Sequence, residues 1–367
     1  MVISMGLRIV IAGGGTGGHL YPGIAVAQEL TRRSPKTRVT FAGTTKGIES
    51  RAVPEAGFEL DFIRSAGLKG KSGRELARNL AMLPVSAYDA WRLLSRRVPH
   101  LVMGVGGYSS GPVVAIAALR GIPTLVLEQN VIPGLTNRLL RPFVRAVAVA
   151  FASTLSDFGS KGFMSGNPVR KEFFEMGSQI DQDVDSETCR ILVIGGSQGA
   201  HALNLALRQA APALAQIKPR LIVTHQTGER DLAEVRESYR QAGLNAQVET
   251  FLEPMAKAML ASDLVICRAG ATTVTELAAV GRPSVLVPLR TADEHQSKNA
   301  DALVTVGAAK MIAGDDVAAA LVAHVKTLAA NRKQRSEMGT AARQLARPDA
   351  AARIVDRALE LVHYREQ

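Results

Sequence analysis

Two stretches of this chain repeat one device 182 residues apart. Ile9 to His19 reads IVIAGGGTGGH and Ile191 to His201 reads ILVIGGSQGAH, each an apolar β-rich run, a glycine-rich turn and a histidine that opens a predicted helix. Such a turn offers its backbone N–H groups, and the positive end of the helix behind it, to an anion. The offset is close to half of the 367 residues, so the chain reads as two halves of one architecture, each beginning with an anion-binding loop.

The first half alternates, with runs at 8–12, 38–42, 60–63, 101–104, 124–127 and 146–150 predicted as strands and helices over 23–32, 48–55 and 111–119. The second half has strands at 191–194, 221–224, 247–251, 264–266, 284–287 and 310–312. Continuous apolar strands separated by helices predict parallel sheets covered on both faces, hence two Rossmann-like domains. The boundary is expected within the polar stretch 166–186, where Asp181, Asp183 and Asp185 read as solvated linker rather than as metal ligands.

No apolar run approaches the ~20 residues of a membrane helix, and the first residues lack the long apolar region of a secretory signal. Cys189 and Cys267 stand alone without metal-type spacing, which fits a reducing compartment. Charge is unevenly placed: residues 1–168 hold 20 Lys/Arg against 9 Asp/Glu, so the whole net charge of +11 lies in the first half. Much of it falls between Arg64 and Arg97, where Lys69, Lys71, Arg74, Arg78 and Arg92 accompany Leu76, Leu80, Leu83, Tyr88 and the single tryptophan, Trp91. Apolar residues ringed by basic ones suit an anionic membrane surface, and equally a core stripe under a solvated basic face. Nucleic acid is not expected, because aromatic residues are 4% of the chain and no recognised binding motif occurs.

Gly13, Gly15 and Gly18 satisfy the G-x-G-x-x-G spacing of dinucleotide sites, but the second strand ends Phe41-Ala42-Gly43-Thr44-Thr45, with no carboxylate for an adenosine ribose. Another glycine turn, GVGGYSSG at 104–111, also follows a strand, and oligo-phosphate binding explains that better than one dinucleotide. His19, at the junction of loop and helix, suits a general base. An imidazole with the ordinary pKa of ~6.5 takes a proton near neutrality, and a helix N-terminus favours its neutral form. His201, its counterpart in the repeat, is read as structural. In the second half Arg268-Ala269-Gly270-Ala271 turns into a helix capped by Thr272 or Thr273, whose amides can hold a phosphate or a sugar hydroxyl, while Glu276 can accept both hydroxyls of a ribose. Beyond Pro288, Asp293-Glu294-His295-Gln296 and Asn299 form a polar cluster outside a strand's carboxyl end, where open α/β sheets bind ligands.

GGGTGGH at 13–19, GVGGYSSGP at 104–112, LEQN at 127–130 with GLTNR after it, GNPVR at 166–170, GGSQGAHALN at 195–204 and CRAGATTVTE at 267–276 follow one another along nearly the whole chain. Together they resemble the MurG family, bacterial transferases that move N-acetylglucosamine from UDP onto the lipid-linked N-acetylmuramoyl-pentapeptide of peptidoglycan synthesis. The resemblance implies a GT-B fold, two Rossmann-like doubly wound parallel-sheet domains facing across a cleft. The acceptor and membrane side falls on 1–168, the UDP-N-acetylglucosamine side on 169–346, and a helix within 347–367 returns to the first domain. Carried over by position, Arg170 and Ser197 meet the donor diphosphate and the backbone at Leu252 the uracil. Ala271, Thr272 and Thr273 meet the sugar and phosphate, Glu276 the ribose, and His295 and Gln296 the sugar hydroxyls. Thr16, Gly17, Gly18 and Asn130 reach the donor from the first domain, whereas Gly15, Gly107, Tyr108, Glu128 and Asn204 lie nearer the acceptor. Some members have two adjacent glutamines where this chain has His295-Gln296; a histidine can still bond a hydroxyl.

The reaction so implied is a single displacement with inversion, in which the acceptor's 4-hydroxyl attacks the anomeric carbon and His19 takes its proton. Helix N-termini and Arg170 bear the charge of the leaving UDP, with no metal or other cofactor. The implied partners are UDP-N-acetylglucosamine, the undecaprenyl-pyrophosphoryl acceptor, anionic inner-leaflet lipids and other cell-wall synthesis proteins, met peripherally at the cytoplasmic face of the inner membrane. A transferase for another lipid acceptor, a UDP-sugar epimerase and a silent nucleotide-binding protein stay compatible with the donor residues.

Overall fold

In the first half, β1 (Arg8–Gly13) shows why the pattern is apolar throughout: Ile9 and Ile11 enter the core on one face of a sheet while Val10 and Ala12 enter the core on the other. A strand covered on both faces has no side to give to water. The computed structural model describes residues 6–67, 73–175, 187–196, 199–289 and 294–366. The chain divides into two units, one of residues 1–170 and 347–367, the other of residues 171–346.

The first unit adds β2 (Arg38–Gly43), β3 (Glu59–Phe62), β4 (Leu101–Gly106), β5 (Thr124–Glu128), β6 (Ala146–Val149) and β7 (Gly162–Met164). The seven parallel strands run in the order β3-β2-β1-β4-β5-β6-β7. β7, three half-buried residues at the sheet edge, escapes sequence periodicity because it is too short to show one. The helix after β1 spans Gly17–Arg33, so it starts earlier than Pro22 suggests and carries that proline inside. The C-terminal helix Ala350–Glu366 buries Ile354, Val355, Ala358 and Val362 in the same core as Ile9, Ile11 and Leu20, and Arg33 pairs with its Asp356. Arg170 falls with this unit, two residues past the expected boundary, and its guanidinium lies 4.5 Å over the ring of Tyr21.

The second unit contains β8 (Thr188–Ile194), β9 (Arg220–Gln226), β10 (Ala246–Glu249), β11 (Leu264–Cys267), β12 (Ser284–Leu286) and β13 (Ala309–Met311). All six are parallel, in the order β10-β9-β8-β11-β12-β13. Ile191 and Val193 pack there against Leu203 and Leu207 of the His201–Leu214 helix and against Val325 and Leu328 of the Val317–Ala330 helix. In each sheet the chain order reverses beside the first strand, between β1 and β4 and between β8 and β11. Such a switch point opens a crevice at the carboxyl ends of the strands, and ligands of doubly wound sheets bind there.

Candidate active site

At the switch point of the first sheet the turns after β1 and β4 meet backbone to backbone. The Gly14 amide donates to Gly106 O at 3.3 Å, and a β-carbon on Gly13 would stand 2.4 Å from that same oxygen. Glycine at 13 follows from this approach, reinforced by its φ of 147°. Thr16 then caps the Gly17–Arg33 helix through its backbone, accepting from the amides of His19 and Leu20 at 3.2 Å each. His19 is half-buried in the first turn, its Nδ1 3.3 Å from Thr16 Oγ1 and its ring against the Cα of Gly106. Thr16, Gly17, Gly18, His19 and Gly107 are thus brought together, with Tyr108 beside them on the β4 turn and 56% exposed.

The Gly15 N–H donates to Glu49 Oε2 at 2.7 Å, while the residue itself is exposed. Two acceptor-side expectations need correction. Glu128 is 2% exposed, and its carboxylate accepts from Asn130 N and Nδ2, Gly134 N and Asn137 Nδ2, so it shapes the turn after β5 instead of facing a substrate. Asn204 is fully buried: its amide donates to Thr227 O and to Asp231 Oδ2, and its Oδ1 lies 3.1 Å from His225 Nε2. A side chain so enclosed stiffens the second unit and cannot reach an acceptor. His201, read as structural, joins this network at 2.8 Å from Asp231 Oδ1. Burial works against the charge of Asp231, but the bonds from Asn204 and His201 hold its carboxyl below the usual range. Burial pushes the imidazole of His225 down to about 3.

At the switch point of the second sheet, Gly195 donates to Gln226 O, and Gln226 Nε2 donates to Gly196 O at 3.0 Å, tying these two glycines at the end of β8 to β9. Beside it the helix Ala271–Val280 begins at Gly270, with Ala271 and Thr272 buried, Thr273 half-buried and Glu276 8% exposed one turn further. Cys267, at the end of β11, is pushed up to about 12 by burial, with the charge of Glu276 adding to it. Asn299 Nδ2 donates to Ala269 O at 3.3 Å and ties the His295–Thr305 helix to the β11 turn. That helix starts on His295, and Gln296 Oε1 accepts from Leu289 N at 2.8 Å, which leaves its amide nitrogen for a ligand. Leu252 is half-buried just beyond β10. Ser197, Lys69 and Lys71, like Asp181, Asp183, Asp185 and Asp293, lie outside the described residues.

Two participants were not singled out from sequence. Arg268 is a half-buried guanidinium at the β11 turn, its proton affinity lowered by burial, the condition of a cation that gains from an anion beside it. Glu49 lies in the helix predicted over 48–55, and only the β1 loop folded against it gives it a task. The basic region is also sorted by the fold. Arg64 pairs with Asp89 at 2.7 Å, and Arg96 and Arg97 with Asp61 at 2.6 and 2.7 Å. Arg74, Arg78 and Arg92 are exposed on the Gly73–Ala81 and Leu83–Arg97 helices, together with Leu80, Leu83, Tyr88 and a Trp91 that is 53% exposed. The exposed leucines correct the alternative of a buried core stripe.

Two doubly wound all-parallel units, with glycine turns and helix N-termini at the carboxyl ends of their strands, have the architecture of the GT-B fold. Residues 9–149 match the glycosyltransferase family 28 N-terminal domain, and residues 190–354 its C-terminal domain. Two proteins named UDP-N-acetylglucosamine–N-acetylmuramyl-(pentapeptide) pyrophosphoryl-undecaprenol N-acetylglucosamine transferase are similar along their length. The one from Anaeromyxobacter sp. (strain Fw109-5) is 45% identical over 98% of this chain and 94% of its own. That of Myxococcus xanthus is 42% identical over 97% and 93%. The crystal structure of Acinetobacter baumannii MurG superposes with a TM-score of 0.76 at 33% identity, covering 96% of this chain and 99% of that one. The chain belongs to the MurG family of glycosyltransferase family 28.

Proposed function

We propose that this chain transfers N-acetylglucosamine from UDP-N-acetylglucosamine to the 4-hydroxyl of lipid-linked N-acetylmuramoyl-pentapeptide, inverting the anomeric centre. The observation that carries this is similarity over nearly the full length to transferases of that name, with every motif of the resemblance at or beside the carboxyl edge of a sheet. In the first unit His19 takes the proton of the attacking hydroxyl, with Thr16 beside its Nδ1 and Tyr108 toward the acceptor. In the second unit Glu276 accepts the ribose hydroxyls, the backbone at Leu252 meets the uracil, and His295 and the amide of Gln296 meet the sugar. As the glycosidic oxygen leaves with UDP, negative charge grows on the β-phosphate. The N-terminus of the Ala271–Val280 helix, with Arg268 and Arg170, opposes that charge. Among the described residues no three His, Cys, Asp or Glu side chains gather as a metal site.

Among the described residues no helix is long and apolar enough to cross a membrane. The exposed strip of Leu80, Leu83, Tyr88 and Trp91, with Arg74, Arg78 and Arg92, seats the first unit on anionic lipid at the cytoplasmic face of the inner membrane, where the acceptor's lipid stays in the bilayer. Other cell-wall synthesis proteins are the natural neighbours there.

The test is transfer of labelled N-acetylglucosamine to a lipid-linked muramoyl-pentapeptide analogue with EDTA present and an acceptor-free control. Transfer that needs acceptor and survives EDTA is expected. UDP release without acceptor would point to an epimerase or hydrolase, and abolition by EDTA would overturn the metal-free reaction.

A further inference from the structure

Glu49 stands outside every motif above, yet its carboxylate is built into the loop that carries His19. It opens the Glu49–Glu55 helix and is 1% exposed. The Gly15 amide donates to its Oε2 at 2.7 Å, and the Thr44 amide and hydroxyl each donate to its Oε1 at 2.9 Å. Glycines make the space for it: a β-carbon on Gly14, Gly43 or Gly47 would stand 2.5, 2.6 or 2.0 Å from a Glu49 side-chain atom. A buried carboxylate is costly without such donors, so the turns after β1 and β2 are held where their amides meet it.

From this clamp we infer that Glu49 is a positioning residue of the transfer reaction, fixing the Gly13–His19 loop and through it the imidazole of His19 without touching substrate. The linkage is short. Gly15 adjoins Thr16, whose carbonyl accepts the His19 amide at 3.2 Å and whose hydroxyl lies 3.3 Å from His19 Nδ1. Of the reaction as proposed, this rests only on His19 being the base. A base displaced by a fraction of its reach loses rate, while the uracil and ribose contacts proposed in the second unit are untouched.

The test compares Glu49→Gln, Thr44→Val and, as control, Glu55→Gln on the exposed side of the same helix. Each is measured by amide hydrogen exchange over residues 11–21 and by transfer kinetics. Glutamine keeps the volume but turns an N–H toward one of the two loop amides, so one contact is lost. Expected for Glu49→Gln are faster loop exchange, kcat lower by about 10- to 100-fold, and UDP affinity within about twofold of wild type. The Glu49→Gln/His19→Ala double variant is expected to be no slower than His19→Ala alone, because residues acting through one step are not additive. Thr44→Val removes only the hydroxyl bond, gives a smaller change of the same sign, and serves if Glu49→Gln does not fold. Unchanged exchange and kcat in folded Glu49→Gln would overturn the inference, as would an undiminished loss in the His19→Ala background. If the wild-type protein transfers no sugar, the functional reading falls by itself, while faster exchange in Glu49→Gln still establishes the clamp.

Discussion

The ring of His19 lies against the Cα of Gly106, where a β-carbon would stand 2.6 Å from its Cδ2 and 3.1 Å from its Nε2. Residue 106 therefore sets the rear wall of the imidazole's seat, and its φ of 91° already excludes most side chains. Gly106→Ala should push the ring forward and lower kcat by about 100-fold, with UDP affinity unchanged. Transfer kinetics beside a UDP titration check this.

His19→Ala removes the proton acceptor itself. Turnover should fall by about 10²- to 10⁴-fold, with UDP binding nearly intact because every proposed base and ribose contact lies in the second unit. Near-normal turnover would remove His19 from the reaction.

Glu276 is buried one turn into its helix, so a ribose that replaces water there gains charge-assisted hydrogen bonds. Glu276→Ala should weaken UDP binding by about 10- to 100-fold. Calorimetry with UDP and 2′-deoxy-UDP gives the sharper reading: wild type should distinguish the two nucleotides and the variant should not.

His225 is buried with its Nδ1 2.9 Å from Tyr239 Oη, and its pKa is pushed down to about 3 by burial. Between that value and the ordinary ~6.5 the unfolded chain binds a proton that the folded one refuses, so stability falls as the pH falls. The contribution is complete above the unfolded value and is lost on acidification at about 1.4 kcal/mol per pH unit. Denaturant titrations from pH 7 to pH 4 should show this slope, and His225→Gln should remove it while lowering stability at neutral pH.

Trp91→Ala and the combined replacement of Arg74, Arg78 and Arg92 by Gln should each reduce sedimentation with anionic vesicles. At about 1 kcal/mol per basic residue, the triple variant should bind about 100-fold more weakly. Transfer to a short, water-soluble acceptor should be unaffected, and unaltered vesicle binding would refute the seating.

What the sequence determined by itself was local. Strand and helix alternation, the glycine turns and the repeat at 191–201 were legible because periodicity and turn chemistry are properties of neighbouring residues. The family motifs were legible for the same reason. The tertiary structure decided which polar side chains remain to act. Glu128 and Asn204 look like ligands in sequence, yet Glu128 is enclosed by the donors of the turn that follows it and Asn204 by partners 21 to 27 residues away in its own unit. A search for a carboxylate at the end of the second strand passes over Glu49, because its partner Gly15 lies 34 residues away and meets it only when β1 pairs with β2. Arg64, Arg96 and Arg97 look alike in sequence to Arg74, Arg78 and Arg92, and only the tertiary placement of Asp61 and Asp89 shows which of the basic residues they take as ion-pair partners. Pairing across the sheet is non-local, and a side chain's partners, unlike its periodicity, are set by it.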